Sequence, residues 1–473
     1  MSGFFGVVSE KDCVEDLFYG TDYHSHLGTR RGGLAVHGSS GIHRVIHDIS
    51  SSQFRSKFQE DILTMAGHRG IGVISDYEDQ PLIIGSHLGV YAIVTIAAVK
   101  NLEELERLAY GGRRVHFSEM SGGALNPTEL IASLINNEAT FEEGIVKAQK
   151  AVKGSCSILL LTEKGLYAAR DRFGKTPVVL GKRDDAYAVT FETCAFPNLG
   201  FEADRELGPG EVALISENGA EQRVAPGKLT SICAFLWVYY GYPSSTYEGV
   251  NVEDTRNRCG AALARDDSVE VDIVAGIPDS GVGHAVGYAN ERRLPYRRPF
   301  VKYTPTWPRS FMPPNQSTRD LVAKMKLVPI RELIDGKRLL FCEDSIVRGT
   351  QLRDQIRRLY DCGAREVHMR PACPPLVFGC PFLNFSRSRS EMDLAARRAI
   401  KEIEGQDDAP LDEYIRHGSP AYQAMVEKIG ERLRLTTLKY QKLEDLVKSI
   451  GLPEKKLCTY CWSGCDQSCQ FQR

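Results

Sequence analysis

The stretch from Arg338 to Thr350 constrains the fold of this chain more than any other part of it. Its sequence is RLLFCEDSIVRGT, and the residues that follow, 351–359, have helical spacing. An apolar run that ends abruptly in acids, hydroxyl groups and a glycine is typical of a buried strand leading into a turn. In an open α/β sheet, ligands bind at such turns, at the carboxyl ends of the strands. The stretch therefore predicts a binding site at 343–350.

The residue types in this turn fit a sugar phosphate. Backbone N–H groups of a loop rich in small and hydroxyl residues, together with a helix N-terminus, favour a phosphate. The adjacent acids Glu343 and Asp344 instead suit the hydroxyls of a ribose or a bound Mg²⁺. A buried strand followed by an ordinary capped turn is the alternative. It would explain an isolated Glu-Asp pair equally well, but it does not explain the whole stretch.

The stretch resembles the phosphoribosyl-pyrophosphate (PRPP) motif of type I phosphoribosyltransferases, most closely that of glutamine PRPP amidotransferases. That family usually has two aspartates where this chain has Glu343 and Asp344, an exchange that keeps the charge. The resemblance implies that these two carboxylates are catalytic, contacting the ribose and Mg²⁺. It also implies that the next residues bind PRPP, mainly through its 5-phosphate: Ser345, Val347, Arg348, Gly349 and Thr350. Arg348 could equally be a surface residue of the turn.

A second turn of small residues, at 276–281, follows the apolar run 271–275. It resembles the pyrophosphate loop of the same transferases, which implies PRPP contacts by Asp279, Ser280 and Gly281. Lys302 matches a lysine of the family's pocket.

Between the two turns the family has a mobile loop that closes over PRPP. The resemblance assigns Arg309, Gln316 and Lys326 to this loop. Without that context, the prolines and polar residues of the segment would indicate a plain surface loop with solvated charges.

The first half of the chain has a different pattern. Up to about residue 227, short apolar runs are broken by Gly, Asp and Asn, with helical segments near 102–109, 128–136 and 141–152. This pattern predicts stacked, mostly antiparallel sheets with helices. The half resembles the N-terminal-nucleophile glutaminase domain of the same amidotransferases, and the matching segments are 3–6, 26–33, 170–177, 191–196 and 207–211.

The resemblance implies two domains of different fold class. Residues 1–228 are expected to form an α+β domain, the four-layer αββα fold of N-terminal-nucleophile (class II) glutaminases. Residues 229–473, where strands and helices alternate, are expected to form a type I phosphoribosyltransferase domain, an α/β fold with a parallel sheet.

The catalytic residues of the glutaminase fold are changed in this chain. Family members begin, after loss of the first methionine, with a nucleophilic cysteine, whereas this chain has Ser2. Further differences fall at 72–75, 95–96 and 126–129, where the family binds the glutamine carboxylate, the oxyanion and the substrate amine. We therefore predict that this half has kept its scaffold and lost glutaminase activity. The alternative is that Ser2 and unrecognised substitutes still hydrolyse glutamine.

Four cysteines match the ligands of an iron–sulfur cluster. Cys458 and Cys461 form a C-x-x-C pair, which could bind zinc or perform redox chemistry, but no second pair stands at zinc-finger spacing. Some amidotransferases of the family hold a [4Fe–4S] cluster on such a pair and two further cysteines, which match Cys233 and Cys380. The resemblance implies a structural cluster. The alternative is a pair of free thiols in a flexible tail.

Two features extend beyond the family pattern. Residues 403–432 are rich in charge and look like an insertion relative to shorter family members, with a helix at 421–433 that we expect to face solvent or another subunit. Cys465 and Cys469 follow the C-x-x-C pair and have no assigned role.

Composition excludes several classes of protein. A net charge of −2 spread over 473 residues gives no sign of a nucleic-acid or membrane surface. No apolar run approaches the roughly 20 residues that a membrane-spanning helix needs. An odd number of cysteines in a chain of this size does not suggest a secreted disulfide framework. We therefore expect a cytoplasmic protein without nucleic-acid or membrane partners.

Taken together, the resemblance implies an amidophosphoribosyltransferase that makes 5-phosphoribosylamine from PRPP, the first step of de novo purine synthesis. We expect ammonia rather than glutamine as the nitrogen donor, and Mg²⁺ and the cluster as cofactors. The family also implies a homotetramer or homodimer, with purine nucleotides as candidate effectors. The alternative is a non-catalytic regulator of purine metabolism that binds PRPP or nucleotides in the same pocket.

Overall fold

The computed structural model describes residues 2–111, 117, 120–121, 124–303, 327–384 and 390–465. Four residues named above lie outside these ranges: Arg309, Gln316, Lys326 and Cys469. No helix within the described ranges is both long enough and apolar enough to cross a bilayer.

Two antiparallel sheets form the centre of the first half. Its strands are β1 (Gly3–Ser9), β2 (Arg31–Gly38), β3 (Gly41–Asp48), β4 (Arg69–Ser75), β5 (Leu82–Ser86), β6 (Gly89–Val99), β7 (Met120–Ser121), β8 (Ala124–Leu125), β9 (Gly154–Thr162), β10 (Gly165–Ala169), β11 (Val179–Arg183), β12 (Ala186–Thr190), β13 (Glu202–Glu206), β14 (Val212–Ser216) and β15 (Gly219–Val224). One sheet has the order β13-β11-β12-β1-β4-β2-β3 and the other β15-β14-β10-β9-β6-β5, while β7 and β8 pair separately.

Helices cover the outer faces of both sheets. They are α1 (Val14–Asp22), α2 (Phe54–Phe58), α3 (Leu102–Gly111), α4 (Pro127–Ile135), α5 (Phe141–Ala151) and α6 (Phe196–Leu199). The segments predicted to be helical near 102–109, 128–136 and 141–152 correspond to α3, α4 and α5, so these three predictions are confirmed.

Alternation along the strands explains the four layers. In β1, Phe4 belongs to the core between the two sheets, which it shares with Leu159 of β9. The next residue, Phe5, points to the opposite face and packs in the cluster that contains Leu17 of α1. Leu160 of β9 likewise packs in the cluster beneath α4 and α5. Both faces of each sheet are buried, which gives the predicted αββα arrangement.

A parallel sheet forms the centre of the second half. The strands here are β16 (Ile232–Cys233), β17 (Thr246–Tyr247), β18 (Val250–Asn251), β19 (Ile273–Gly276), β20 (Phe300–Lys302), β21 (Leu327–Pro329), β22 (Arg338–Glu343), β23 (Glu366–Pro371), β24 (Thr437–Leu438) and β25 (Leu457–Cys458). The order β19-β22-β23-β24 is parallel throughout. The predicted domain boundary at 228 falls between β15 and β16, and it stays a prediction.

The helices of this half lie on both faces of the parallel sheet. They are α7 (Val252–Arg265), α8 (Gly281–Arg292), α9 (Thr350–Asp361), α10 (Ala395–Glu404), α11 (Asp412–Ile415), α12 (Pro420–Leu433), α13 (Leu443–Ile450) and α14 (Tyr460–Ser463). Leu340 of β22 faces the core shared with α7, α8 and α13. Its neighbours Leu339 and Phe341 face the core shared with α9, α10 and α12. A central parallel strand buried on both faces explains the uninterrupted apolar run in the sequence.

The helix expected at 421–433 differs from its prediction. It is α12, and its residues Tyr422, Met425 and Ile429 are buried in the core beneath the sheet. Its i, i+3, i+7 spacing of apolar residues provides one buried stripe. The expectation of a fully solvated or subunit-facing helix was therefore wrong, because one side of α12 packs against this domain.

Glycines allow α7 and α8 to approach each other closely. A Cβ atom added to Gly260 would lie 1.8 Å from the carbonyl oxygen of His284, and one added to Gly287 would lie 2.0 Å from that of Asn257. Since α8 begins directly after the 276–281 turn, this contact helps to fix the turn at the edge of the sheet.

We expect Gly260→Ala to destabilise the protein by about 2 to 3 kcal/mol, because overpacking of a rigid contact costs that much. The clash is with backbone, which cannot rotate away. Thermal unfolding followed by circular dichroism measures the effect. The matched control is Gly85→Ala in β5, where an added Cβ meets nothing within 4 Å. Equal melting temperatures for the two variants would contradict the role given to Gly260.

Candidate active site

The two turns predicted to contact PRPP lie side by side. Strands β19 and β22 are adjacent and parallel, with Gly276 opposite Cys342 at their carboxyl ends. The N–H of Ile277 donates to the carbonyl of Cys342 at 3.0 Å. The Ser280 hydroxyl donates to the Asp344 carboxylate at 2.5 Å. The structure therefore brings both predicted turns together at one edge of the sheet.

Small residues are needed where the turns touch. A Cβ atom added to Gly281 would lie 2.4 Å from the carbonyl oxygen of Cys342. One added to Gly276 would lie 2.6 Å from the carbonyl carbon of Gly281. The glycines that indicated an anion-binding loop in the sequence thus also allow the two turns to pack against each other.

The two acids have different environments. Asp344 is buried and accepts hydrogen bonds from Ser280 and, at 2.6 Å, from the Ser345 hydroxyl. Glu343 is only partly buried as a residue, yet burial of its carboxyl group and the charge of Asp344 raise the pKa of Glu343 well above its usual range. Oε1 of Glu343 accepts the N–H of Asp344 at 3.3 Å. A cation or a hydroxyl donor beside this pair would relieve the repulsion between the two carboxylates.

The pair also fits the donor chemistry of Mg²⁺, which prefers carboxylate oxygens. Asp344 is fixed by two hydroxyl groups, and Glu343 keeps acceptor capacity beyond its one backbone contact. Glu343 and Asp344 are therefore the residues that would hold a magnesium ion, which would supply positive charge beside a bound phosphate.

Next to these acids, Lys302 and Asp279 form an ion pair across the pyrophosphate-type turn. Lys302 ends β20, and both side chains are largely accessible, with exposed fractions of 42% and 67%. An exposed ion pair of this kind contributes little to stability. It does hold an ammonium group beside the turn.

The loop after the acids leads into the N-terminus of α9. Gly349 has φ = +74°, a left-handed conformation that favours glycine, and Thr350 begins the helix. The carbonyl of Val347 accepts the N–H of Ala395 at 2.7 Å, which fixes the loop against α10. The first N–H groups of a helix have no partner within it and are available to an anion.

Arg348, a further residue of this loop, forms an ion pair at the surface. Its guanidinium lies 3.3 Å from the carboxylate of Asp393, and the residue is exposed. Both roles that the sequence left open for Arg348 stay predictions.

In the first half, Ser2 is buried, and its hydroxyl donates to that of Ser75 at 3.2 Å. The cavity beside Ser2 has a volume of about 10 Å³, the space of roughly one water molecule. A glutamine molecule does not fit in this space.

A segment of the second half covers Ser2. The Asn384 side-chain amide donates to the backbone carbonyl of Ala97 at 3.1 Å, and the backbone carbonyl of Asn384 accepts the Tyr77 hydroxyl at 2.9 Å. The Ser155 hydroxyl donates to the carbonyl of Phe382 at 2.5 Å. Sequence reasoning missed this cover, since no local pattern connects 382–384 with Ser2.

Polar groups at two other positions where the glutaminase pattern differs, 95–96 and 126–129, form hydrogen bonds within the protein. The hydroxyls of Thr95 and Thr128 lie 2.7 Å apart, and the N–H of Thr95 donates to the Gln80 side chain at 2.6 Å. The Asn126 side chain caps α4 by accepting the N–H of Thr128. Thr95, Asn126 and Thr128 thus have hydrogen-bond partners within this half of the chain.

The four cysteines matched to a cluster lie together. Cys233 and Cys458 are opposite each other in the parallel pair β16–β25. A hydrogen bond with Cys461 lowers the pKa of the Cys380 thiol to about 7. Burial, and then the charge of Cys380, raise the pKa of Cys233 to about 12. Cys461 in turn interacts electrostatically with the other three, and its pKa is raised well above the usual range, mainly by its hydrogen bond with Cys380.

Four thiolates are the usual ligand set of an iron–sulfur cluster. Three of the four cysteines are buried: Cys233, Cys458 and Cys461. In the part of the chain that is described, no three His, Cys, Asp or Glu side chains are placed to hold one metal ion. A [4Fe–4S] cluster binds each of its thiolates through a different iron and so needs a wider set of four cysteines. Cys465 is exposed.

Comparison with known proteins agrees with this architecture. The glutamine amidotransferase domain family matches residues 68–197. The amidophosphoribosyltransferase of Archaeoglobus fulgidus is 32% identical over 73% of this chain and 76% of its own length. That of Bacillus subtilis is 30% identical over 85% of each chain. That of Methanocaldococcus jannaschii is 28% identical over 98% of this chain and 97% of its own.

Solved structures are similar over almost the whole chain. Glutamine PRPP amidotransferase from Bacillus subtilis, complexed with ADP and GMP, superposes with a TM-score of 0.84 at 27% identity, covering 98% of this chain and 97% of that one. A structure described as the allosteric regulatory enzyme of purine biosynthesis gives 0.83 at 26% identity, covering 98% and 96%. These matches confirm the predicted fold class and family. The chain belongs to the amidophosphoribosyltransferase family.

Proposed function

We propose that the protein transfers ammonia to the anomeric carbon of PRPP, giving 5-phosphoribosylamine and pyrophosphate in purine synthesis. The family membership supports this reaction. The observation that carries it is the hydrogen bond between Ser280 and Asp344, which joins the two sugar-phosphate turns into one site.

In this proposal each of the two turns binds a different part of PRPP. The N–H groups of 345–350 bind the 5-phosphate at the start of α9, with Thr350 adding a hydroxyl. Asp279, Ser280, Gly281 and Lys302 bind the pyrophosphate. Mg²⁺ bound at the acids would neutralise the leaving pyrophosphate.

Glu343 and Asp344 would act at the anomeric carbon of the ribose, where the reaction takes place. As pyrophosphate leaves, positive charge develops on the ribose, as it does in glycoside hydrolysis. The carboxylates of Glu343 and Asp344 accept hydrogen bonds from the ribose hydroxyls and stabilise the positive charge on the ribose. Preorganised charges of this kind are usually the largest single contribution to catalysis. The hydroxyls of Ser280 and Ser345 hold Asp344 in place before substrate arrives.

The closing loop belongs to the same proposal. Its residues Arg309, Gln316 and Lys326 lie outside the described residues, and their assignment rests on the resemblance. A loop that closes over PRPP would exclude water and so prevent hydrolysis of the activated ribose.

We further propose that ammonia, not glutamine, is the nitrogen donor. Ser2 replaces the family's cysteine, and the cavity beside it holds about 10 Å³. The contacts of 382–384 with Ala97 and Ser155 would have to break before glutamine could enter. Free ammonia, or ammonia from a partner protein, then supplies the amine.

We expect glutamine to support less than about 1% of the turnover that ammonium supports at saturating PRPP, because one lost oxyanion donor alone costs roughly 10²-fold. Pyrophosphate release measures both rates side by side. Ser2→Ala should leave the ammonium-dependent rate unchanged. The proposal that ammonia is the donor would be overturned if glutamine supported turnover at a comparable rate and Ser2→Ala abolished that turnover. Tight PRPP binding without turnover on either donor would favour a regulator instead.

We also propose that Cys233, Cys380, Cys458 and Cys461 hold a [4Fe–4S] cluster. Their mutual proximity and burial support it. Its role is structural, since it fastens β25 and α14 to β16, where the backbone N–H of Ala234 already donates to the backbone carbonyl of Cys458 at 3.2 Å.

The assembly and its effectors follow from the family. We propose a homo-oligomer, a tetramer or a dimer, in a cytoplasmic setting. Purine nucleotides are the candidate effectors, since the Bacillus subtilis relative was solved with ADP and GMP.

A further inference from the structure

A lysine of the first half is buried beside the four cysteines of the second half. Lys175, in the segment between β10 and β11, is fully buried. Its backbone carbonyl accepts the N–H of Cys233 at 3.1 Å. Lysine is rarely buried completely, because an ammonium group that leaves water loses its hydration. The surroundings of Lys175 therefore have to compensate for this loss.

The ammonium group of Lys175 contacts the two chain segments that carry Cys233 and Cys380. It donates to the Ser231 hydroxyl at 3.1 Å, and Ser231 stands two residues before Cys233. It also lies 3.7 Å from the centroid of the Phe382 ring, and Phe382 stands two residues after Cys380. The face of an aromatic ring attracts a cation. These two contacts fix the ammonium group between the segments.

The charge of Lys175 also acts on the thiols themselves. It contributes, after the hydrogen bond with Cys461, to the lowered pKa of Cys380, which is about 7. It opposes the burial that raises the pKa of Cys233 to about 12. A positive charge has this effect because it favours the thiolate over the thiol. Both effects agree with the contacts, which place the ammonium group next to the set of cysteines.

A buried cluster at these cysteines would need a positive charge nearby. Four thiolates give a [4Fe–4S] cluster a net negative charge, and a charged group inside a protein is stable only when its surroundings compensate for the lost hydration. The charge around such a cluster is also one of the factors that set its reduction potential. Because Lys175 is away from solvent, water and salt screen its charge little.

We propose that the ammonium group of Lys175 is the counter-charge of the iron–sulfur cluster, which stabilises the bound cluster and raises its reduction potential. This inference rests on the cluster that is proposed above for the four cysteines. It gives the first half of the chain a function that does not depend on glutaminase chemistry. The charge comes from the 170–177 segment of that half, whereas all four thiolates come from the second half.

The test is the reduction potential of the cluster in anaerobically purified full-length protein, measured by a titration that is followed by its absorption. Lys175→Met removes the charge and nearly keeps the length of the side chain, and the loss of a buried charge is often neutral for stability. We expect the potential to fall by at least about 59 mV, which corresponds to a tenfold change in a one-electron equilibrium. Lys175→Gln, a neutral but polar replacement, should lower it in the same way. Lys175→Arg keeps the charge and should keep the potential.

The matched control is Lys182→Met in β11, whose side chain is 55% exposed and pairs with Asp204 at 2.7 Å. It removes the same charge from the same half of the chain, but at the surface, where solvent screens it. Its potential should equal that of the unmodified protein. The rate at which the cluster absorption disappears in air is a second readout, which does not require a reduced cluster. The two neutral variants should lose this absorption at least about threefold faster, because a lost positive charge makes the cluster easier to oxidise.

Three results would overturn the inference, and each has a different meaning. Unmodified protein without iron and sulfide would contradict the proposed cluster itself. Equal potentials and equal lifetimes in air for the unmodified protein and both neutral variants would refute the role of Lys175 alone. If Lys175→Arg lowered the potential as much as Lys175→Met, packing rather than charge would be the cause. Equal melting temperatures of the variants exclude misfolding.

Discussion

Replacing Asp344 by Asn should slow ammonium-dependent PRPP turnover about 10³-fold, which corresponds to about 4 kcal/mol of transition-state stabilisation. The amide keeps nearly the shape of the carboxylate, and its oxygen can still accept from Ser280 or Ser345. What it loses is the negative charge beside the developing ribose cation. Because the effect is on charge in the transition state, kcat should fall much more than KM rises. Pyrophosphate release under steady-state conditions measures both constants.

The control for this variant is Asp361→Asn, an exposed acid at the far end of α9. It removes one negative charge from the same half of the chain without touching the turn. Its activity should match that of the unmodified protein. If Asp344→Asn retained more than about a tenth of the activity, the carboxylate would have no catalytic role and the proposed mechanism would fail.

Replacing Cys461 by Ser should remove the iron–sulfur absorption near 400 nm and destabilise the C-terminal segment by about 4 kcal/mol or more, the range typical of a lost metal site. Cys461 interacts with the other three thiols, so its loss opens the set of four. The backbone N–H groups of Val377 and Phe378 donate to its carbonyl, and these contacts would weaken as well. Iron and sulfide analysis of anaerobically purified protein, with thermal unfolding, measures both effects.

Cys362→Ser is the matched control, because Cys362 is a partly exposed free cysteine at the end of α9. This variant should keep its iron, its colour and its melting temperature. Zinc in place of iron in the unmodified protein would rule out the cluster. So would a Cys461→Ser variant with unchanged absorption.

Local sequence patterns predicted the parts of this molecule that depend on neighbouring residues. The apolar run 338–342 and the acids after it were enough to place a buried strand and its turn, because a central parallel strand must be apolar on both faces. The pairing of the two turns followed from the same rule, since parallel strands end at the same edge. Composition alone could not show that the absence of a side chain at Gly281 also allows the two turns to pack against each other.

Features that depend on contacts between distant segments were not predictable in this way. The cover over Ser2 comes from 382–384, far along the chain, and its contacts are mainly to backbone carbonyls, which leave no pattern in the sequence. The burial of α12 was missed because its charged residues dominate the composition of 403–432.

The pairing of β16 with β25 has a consequence for the synthesis of the protein. Ile232 lies opposite Leu457 in this parallel pair, although 225 positions separate them in the chain. Domains generally fold in order as a chain leaves the ribosome. The first half can therefore fold before the apolar edge at Ile232 has paired with β25. Until residue 457 has emerged, that edge is exposed to other nascent chains, and chaperone supply should limit the yield of soluble protein.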